Sequence, residues 1–487
     1  MVLESDLLSH FPSEVPVTAA TVAQKVIESG RVLVVLDDDP TGTQSVSNLP
    51  VLTHWDIADF RWAYAHLIDG HRANAIYILT NTRSLDPSEA AARNAQIVRN
   101  ALKAATEAGV TLGFVSRSDS TLRGHYPLEP DTIAATLLAE GAGQVDGVVM
   151  VPAFPDAGRI TIGGVHYTRA DAGSLIPVGD TEFAKDATFG FTSSRLDAYV
   201  EEKSQGRFGA ANVIPVDLSL LRTGTPAQAA MAIADAIEAA QDSCPIVVDA
   251  VSENDLRVLA LGLDEAERRG KHLIYRVGPP FVRARIGQEI RAELNPSEIY
   301  SSPAPATQSA GGLIVVGSHV GVTTRQLKAL TQQHSAAHII EIDVEKLLKA
   351  DGGTHLDDVV EQVGAALASG DVIVHTSRLL IKTDEAAASL KIARTVSAAV
   401  VEVVNRTLKA TPPRFVIAKG GITSSDVAAH GLEIRHAIVR GPMLPGIVSL
   451  WEPVDGPAAG IPYIVFAGNV GNDQSLADVT RKLSSTF

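Results

Sequence analysis

Two stretches of this chain carry the residue types that bind an anion and activate a hydroxyl. They are Asp37-Asp38-Asp39-Pro40-Thr41-Gly42-Thr43-Gln44 and Ser116-Arg117-Ser118-Asp119-Ser120-Thr121-Leu122-Arg123-Gly124. Each directly follows an apolar run, 32–36 and 110–115, that reads as a strand. In open α/β sheets, ligands bind outside the carboxyl ends of the strands. Arginines there suit a carboxylate or phosphate, which they engage with forked bonds. Carboxylates there suit a hydroxyl to deprotonate or a cation to hold, and Asp38, Asp39 and Asp119 are the candidates. Three adjacent carboxylates repel one another and require cations, donors or water. Alone, the Asp run reads as a solvated turn; a second acidic strand end in the same domain weighs against that. Gly124 permits close backbone approach. Arg117 and Arg123 read either as clamps on a substrate or as ion-pair partners of the Asp run.

Two further strand ends are polar. Thr80-Asn81-Thr82-Arg83-Ser84 follows the run 75–79, and Val151-Pro152-Ala153-Phe154-Pro155 with Gly158-Arg159 follows 147–151. The anion-binding candidates are therefore Arg83, Arg117, Ser120, Thr121, Arg123, Gly124 and Arg159. His125 and His166 read as surface or internally satisfied residues, with His125 favoured only by standing next to Arg123-Gly124.

Three strand-like runs in the second half end in glycine turns: Gly317-Ser318, Lys419-Gly420-Gly421-Ile422-Thr423, and Gly468-Asn469-Val470-Gly471. Backbone N–H groups at such turns cradle phosphates, aided by a following helix dipole. Lys419 adds a point charge. No Gly-Lys-Ser/Thr follows, so this is not a Walker A loop, and the dinucleotide fingerprint Gly-x-Gly-x-x-Gly is absent at all three turns. The segment 441–446 reads as a rigid loop flanking a base pocket.

The elements that must position these residues follow an alternating pattern. Strands are expected at 32–36, 75–79, 110–115, 147–151, 211–215 and 246–248, with helices at 87–108 (Asp86 capping, Pro87 at N1) and 227–241. The Ser-, Pro- and Ala-rich segment 301–312 reads as a linker. Beyond it, strands at 313–316, 339–342, 371–375 and 414–419 alternate with helices at 323–333, 356–368 and 386–408. Such alternation implies βαβ units. The expected fold is α/β with two lobes, 1–300 and 313–487. Each has a mostly parallel sheet covered by helices, and the active site lies in the cleft between them.

The composition agrees. With 487 residues, 45% hydrophobic and 20% charged, the chain is an ordinary globular protein of two or three domains. A net charge of −15 argues against nonspecific nucleic-acid binding. No apolar run reaches the roughly 18–20 residues of a membrane helix, and Met1-Val2-Leu3-Glu4-Ser5-Asp6 lacks the basic start of a signal peptide; a cytoplasmic location is expected. The single Cys244 rules out an intrachain disulfide and reads as a buried structural thiol. The alanine-rich helices read as core, with a homodimer face as the alternative.

Together these residues resemble the four-carbon acid sugar kinase family. The Asp-Asp-x-Thr-Gly-Ala pattern is met by Asp38-Asp39-Pro40-Thr41-Gly42-Thr43, with Thr43 for Ala. The Asp-Ser-Thr-Leu-Arg-Gly signature is met in full by Asp119 to Gly124, with Arg117 where Lys is typical. The proline-rich segment 151–155 with Arg159, Gly317-Ser318, Gly420-Gly421-Ile422-Thr423, and Gly468-Asn469-Val470-Gly471 match the remaining motifs, Ala467 replacing a proline. The resemblance spans about residues 31–480. It implies that the first lobe, 1–300, holds the acid and the second holds ATP. It also implies an ATP- and Mg²⁺-dependent kinase acting on a small anionic sugar acid such as threonate, erythronate or 3-oxo-tetronate. Ser318, Lys419, Gly420, Gly421, Ile422, Thr423, Gly468, Asn469 and Gly471 would then hold the nucleotide. The competing readings are a nicotinamide-dependent sugar-acid oxidoreductase, disfavoured by the missing fingerprint, and a non-catalytic sugar-acid sensor.

Overall fold

The computed structural model describes residues 2–68, 70–170, 173–300, 308–349, 352–377 and 386–487. The chain divides into two compact units, one of Met1–Leu49 and Trp55–Ile290, the other of Pro50–His54 and Arg291–Phe487. Residues 291–300 thus belong with the second unit, ten residues earlier than the division expected at 300. The expected linker lies outside the described residues over 301–307.

The first unit is built on seven parallel strands. In spatial order they are Ile214–Val216, Cys244–Val248, Gly147–Val151, Leu273–Val277, Thr111–Arg117, Arg31–Asp37 and Ala75–Leu79. The central strands are apolar runs buried on both faces, as a parallel sheet covered by helices requires. Chain order places the Arg31–Asp37 strand between its two successors, Ala75–Leu79 and Thr111–Arg117. The connections therefore reverse direction there, and that switch point is where ligands bind in such sheets.

Helix Pro87–Ala108 begins where Asp86 accepts hydrogen bonds from the Ser88 and Glu89 amides at 2.9 and 3.0 Å. It ends at Gly109, whose φ of 64° suits a residue without Cβ. The strand expected at 211–215 begins only at Ile214, after a single 3₁₀ turn, Ala210–Asn212. Pro215 is tolerated because this is the edge strand. Strand Leu273–Val277 and the amphipathic helix before it, Glu253–Arg268, were not anticipated. Nor was an antiparallel sheet of Val2–Leu3, Ser174–Pro177, Val165–Arg169 and Arg159–Ile162. Cys244 opens an inner strand and is half-buried rather than buried.

In the second unit five parallel strands run in the order His338–Ile342, Val372–Thr376, Leu313–Val316, Val416–Lys419 and Tyr463–Phe466. Antiparallel strands Val448–Pro453 and His436–Leu444 continue the sheet. Its switch point falls between Leu313–Val316 and Val416–Lys419. A core of Ile314, Val316, Leu330, Phe415, Ile417, Leu450, Ile464 and Phe466 supports it. The expected loop at 441–446 is instead the bulged end of strand His436–Leu444 followed by a turn. No helix among the described residues is long and apolar enough to cross a membrane.

Candidate active site

Register brings the two charged stretches of the first unit together. Asp37 and Arg117 are direct partners on adjacent parallel strands, and Arg117 is also the partner of Val277. The Arg117 guanidinium donates from Nε to Asp37 and from Nη2 to the Asp39 carbonyl, and lies 3.2 Å from Asp38. It is 2% exposed. Of the two roles open to Arg117 it therefore takes that of internal ion-pair partner, not substrate clamp. A Cβ at Gly42 would collide with both Asp37 and Arg117, so glycine is required there.

Arg83 forks onto Asp38, Nη2 to Oδ1 at 2.6 Å and Nε to Oδ2 at 3.2 Å, and stands 3.6 Å from Asp39. Asp39 caps the following 3₁₀ turn by accepting the Thr41 amide at 3.0 Å. Asp119 accepts from Arg123 Nε at 2.6 Å and from the Thr121 hydroxyl. Burial pushes the Asp119 carboxyl up, but Arg83, Arg123 and Thr121 outweigh it and hold it well below the ordinary range. Asp39 is likewise held down, against burial, by Arg83 and Arg117. Both are carboxylates at neutral pH. Thr121 and Ser120 are buried, and the Ser120 carbonyl accepts from His166 Nε2 at 2.7 Å. The guanidiniums of Arg123 and Arg159 lie over one face-forming ring, Phe183, at 5.2 and 5.9 Å.

The two histidines are internally satisfied. His166 bonds Ser120 and Thr161, and burial lowers it to about 4, so it stays neutral. His125 Nε2 lies 3.1 Å from both the Thr82 and Leu85 carbonyls.

Sequence reasoning missed a second buried charge pair behind these residues. Arg276, in strand Leu273–Val277, is the register partner of Ser116. Its Nη1 donates to Ser116 Oγ at 2.7 Å and to Glu129 Oε2 at 2.5 Å. Glu129 also accepts from Thr82 Oγ1 at 2.5 Å and Asn94 Nδ2 at 3.3 Å. The available signal was an arginine within the apolar run Leu-Ile-Tyr-Arg-Val: a charge in a buried strand demands partners.

In the second unit the three glycine turns converge on Ser318. The Gly317 and Ser318 amides donate to the Lys419 carbonyl at 3.2 and 3.3 Å, and the Gly420 amide to Phe466 at 2.8 Å. A Cβ at Gly420, whose φ is 131°, would stand 3.2 Å from Ser318 Cβ, and one at Gly468 would stand 2.7 Å from its Oγ. Thr323, on helix Gly321–Gln333, donates to the Gly468 carbonyl at 2.8 Å. Ile422 and Asn469 are exposed, Gly421 is partly exposed at the start of the helix that holds Thr423, and Gly471 is exposed at the end of the third turn. Lys419 does not offer its charge to the open side. Its side chain is fully buried, with Nζ donating to the Ala467 carbonyl at 2.6 Å and lying 3.9 Å from the Phe466 ring centre. It ties two of the turns together.

Among the described residues no three His, Cys, Asp or Glu side chains converge as a metal site.

Comparison with known proteins agrees unit by unit. Residues 33–285 match the model of a sugar-binding N-terminal domain, and residues 313–476 that of a nucleotide-binding C-terminal domain. A D-erythronate kinase of Heliobacterium modesticaldum is 26% identical over 473 residues, 91% of this chain and 95% of that protein. A D-threonate kinase of Cupriavidus necator is 25% identical over 316 residues, 64% of this chain and 66% of that one. The fold is shared with the Haemophilus influenzae protein HI1011, with a TM-score of 0.60 and 18% identity over 92% of this chain and 99% of that one. It is also shared with a Salmonella typhimurium protein described as a putative tRNA synthase, with a TM-score of 0.64 and 18% identity over 93% and 100%. With both domain models matched in order, and one of them spanning more than half of its residues, the chain belongs to the four-carbon acid sugar kinase family.

Proposed function

We propose that this protein transfers the terminal phosphoryl group of ATP to a hydroxyl of a four-carbon sugar acid, with D-erythronate and D-threonate the first substrates to test. The observation that carries this reading is Asp119, an ionised carboxylate held between Arg83 and Arg123 at the switch point of the sugar-binding unit. A group so placed orients an alcohol and accepts its proton as the oxygen attacks phosphorus. The new bond joins the acid's oxygen to the terminal phosphorus, the bond to the bridging oxygen breaks, and ADP leaves. Such transfer is mostly positioning and charge stabilisation. Beyond the Gly317, Ser318 and Gly420 amides, which bond within the fold, the glycine turns supply backbone N–H groups for the phosphates, and the amino end of helix Gly321–Gln333 adds its dipole. Mg²⁺ bound with ATP would neutralise phosphate charge. ATP as donor and the absence of a membrane-crossing helix among the described residues fit a cytoplasmic enzyme.

The test is ADP release from Mg²⁺-ATP with a panel of sugar acids of four to six carbons. Release that depends on a four-carbon acid supports the reading. Silence across the panel in a protein that binds ATP moves the substrate outside this class.

A further inference from the structure

Five arginines surround the acidic strand ends of the first unit, and they differ in how far their donors are committed. Arg83 and Arg117 are bound to Asp37, Asp38 and Asp39. Arg123 is bound to Asp119 and lies 3.7 Å from Asp186. Arg159 gives Nη1 to the Ala157 carbonyl at 2.7 Å, its Nε has no partner among the described residues, and its side chain is only partly buried. Arg276 differs. Glu129 and Ser116 grip Nη1 alone. Among the described residues no partner meets its Nη2, although the residue is 4% exposed. Arg276 lines a small cavity with Ser118, Asp119, Leu122, Met150, Pro152 and Tyr199. Gly124 opens the way: a Cβ there would stand 2.8 Å from Arg276 Nη2 and 3.1 Å from Asp38 Oδ2. At a φ of 119° the position also disfavours any side chain.

A buried guanidinium fixed along one edge and open along the other is a pre-organised anion receptor. We infer that Arg276 anchors the carboxylate of the sugar acid, with Gly124 kept bare for its approach, so that Asp119 meets a hydroxyl rather than the acid end. This assignment rests on the substrate class proposed above. It gives the pocket a directional logic: the fixed cation takes the fixed anion, and the carboxylate on the same cavity wall takes the alcohol.

The test is calorimetric titration of D-erythronate and D-threonate into the full chain without ATP. Arg276→Lys keeps a positive charge beside Glu129 but loses the fork. It should bind the acid about 10- to 100-fold more weakly, the range for a lost charged hydrogen bond, with ATP affinity unchanged. Acid binding equal to wild type in a folded Arg276→Lys protein overturns the assignment, as does a loss confined to Arg159→Lys. If Arg276→Lys does not fold, the double variant Arg276→Gln, Glu129→Gln leaves no uncompensated buried charge and is judged by the same criteria. Failure of the wild type to bind any acid of the panel overturns the substrate class itself, a result separate from a wild type that binds and a variant that binds equally.

Discussion

Asp37 and Arg117 are register partners on neighbouring parallel strands, and their side chains close a fully buried ion pair at the switch point of the first sheet. Arg83, in the turn after the neighbouring strand and a fifth exposed, forks onto Asp38. Two carboxylates and two guanidiniums are thus neutralised inside the fold. Asp119 and Arg276 line the small cavity beside them, so the charged strand ends divide into a foundation and a working part.

Removing the foundation should unfold the site. Arg117→Met leaves Asp37 buried without its cation and Asp38 with Arg83 alone, and breaking a buried pair this way costs about 3–5 kcal/mol. Urea unfolding followed by circular dichroism measures it. A loss below about 1 kcal/mol would mean the pair is dispensable.

Removing the working part should spare the fold. Asp119→Asn keeps the size and the bonds to Thr121 and Arg123 that an amide oxygen can accept. It should melt near wild type while acid-dependent ADP release falls by about 100-fold or more, the scale of a lost proton acceptor. Retained turnover removes Asp119 from the mechanism.

The glycine turns make a separable prediction for the nucleotide. Gly420 has a φ of 131° and no room for a Cβ beside Thr423 and Ser318. Gly420→Ala should weaken ATP binding about tenfold or more, with acid binding in calorimetry unchanged. Equal losses for both ligands would point to general unfolding instead.

Lys419 gives the protein a pH signature. Burial lowers its amine from 10.5 to about 7, whereas the unfolded chain keeps the ordinary value. Between those pH values the unfolded state holds a proton that the folded state lacks, so this group makes stability rise with pH from about 7 towards 10. Lys419→Met removes the effect. The wild-type-minus-variant stability should climb by up to about 1.4 kcal/mol per pH unit in that window, and a flat difference would contradict the assignment.

The motif strands were legible because parallel sheets bury both faces and leave continuous apolar runs: 75–79, 147–151 and 313–316 fall where they were expected. Helix Pro87–Ala108 was legible because Asp86-Pro87 and Gly109 mark both ends. The antiparallel additions were not, since short strands such as Arg159–Ile162 carry little periodic signal of their own. In the site, residue types identified the charged strand ends. Which arginine pairs inward depends on register and on three-dimensional neighbours such as Ser116 and Glu129, and for that reason Arg276 was missed and Arg117 was offered two roles. Lys419 misled for a related reason: beside two glycines it suggests a phosphate ligand, but its stem lies within the core over Phe466.

The central claim is transfer of phosphoryl to carbon-bound oxygen, and phosphorus NMR of a reaction containing Mg²⁺-ATP and D-erythronate or D-threonate tests it most directly. The account predicts a new phosphomonoester resonance, split by a sugar-acid proton, growing in step with ADP. ADP formed with only inorganic phosphate, or no new phosphorus signal from a protein that binds both ATP and the acid, would contradict it.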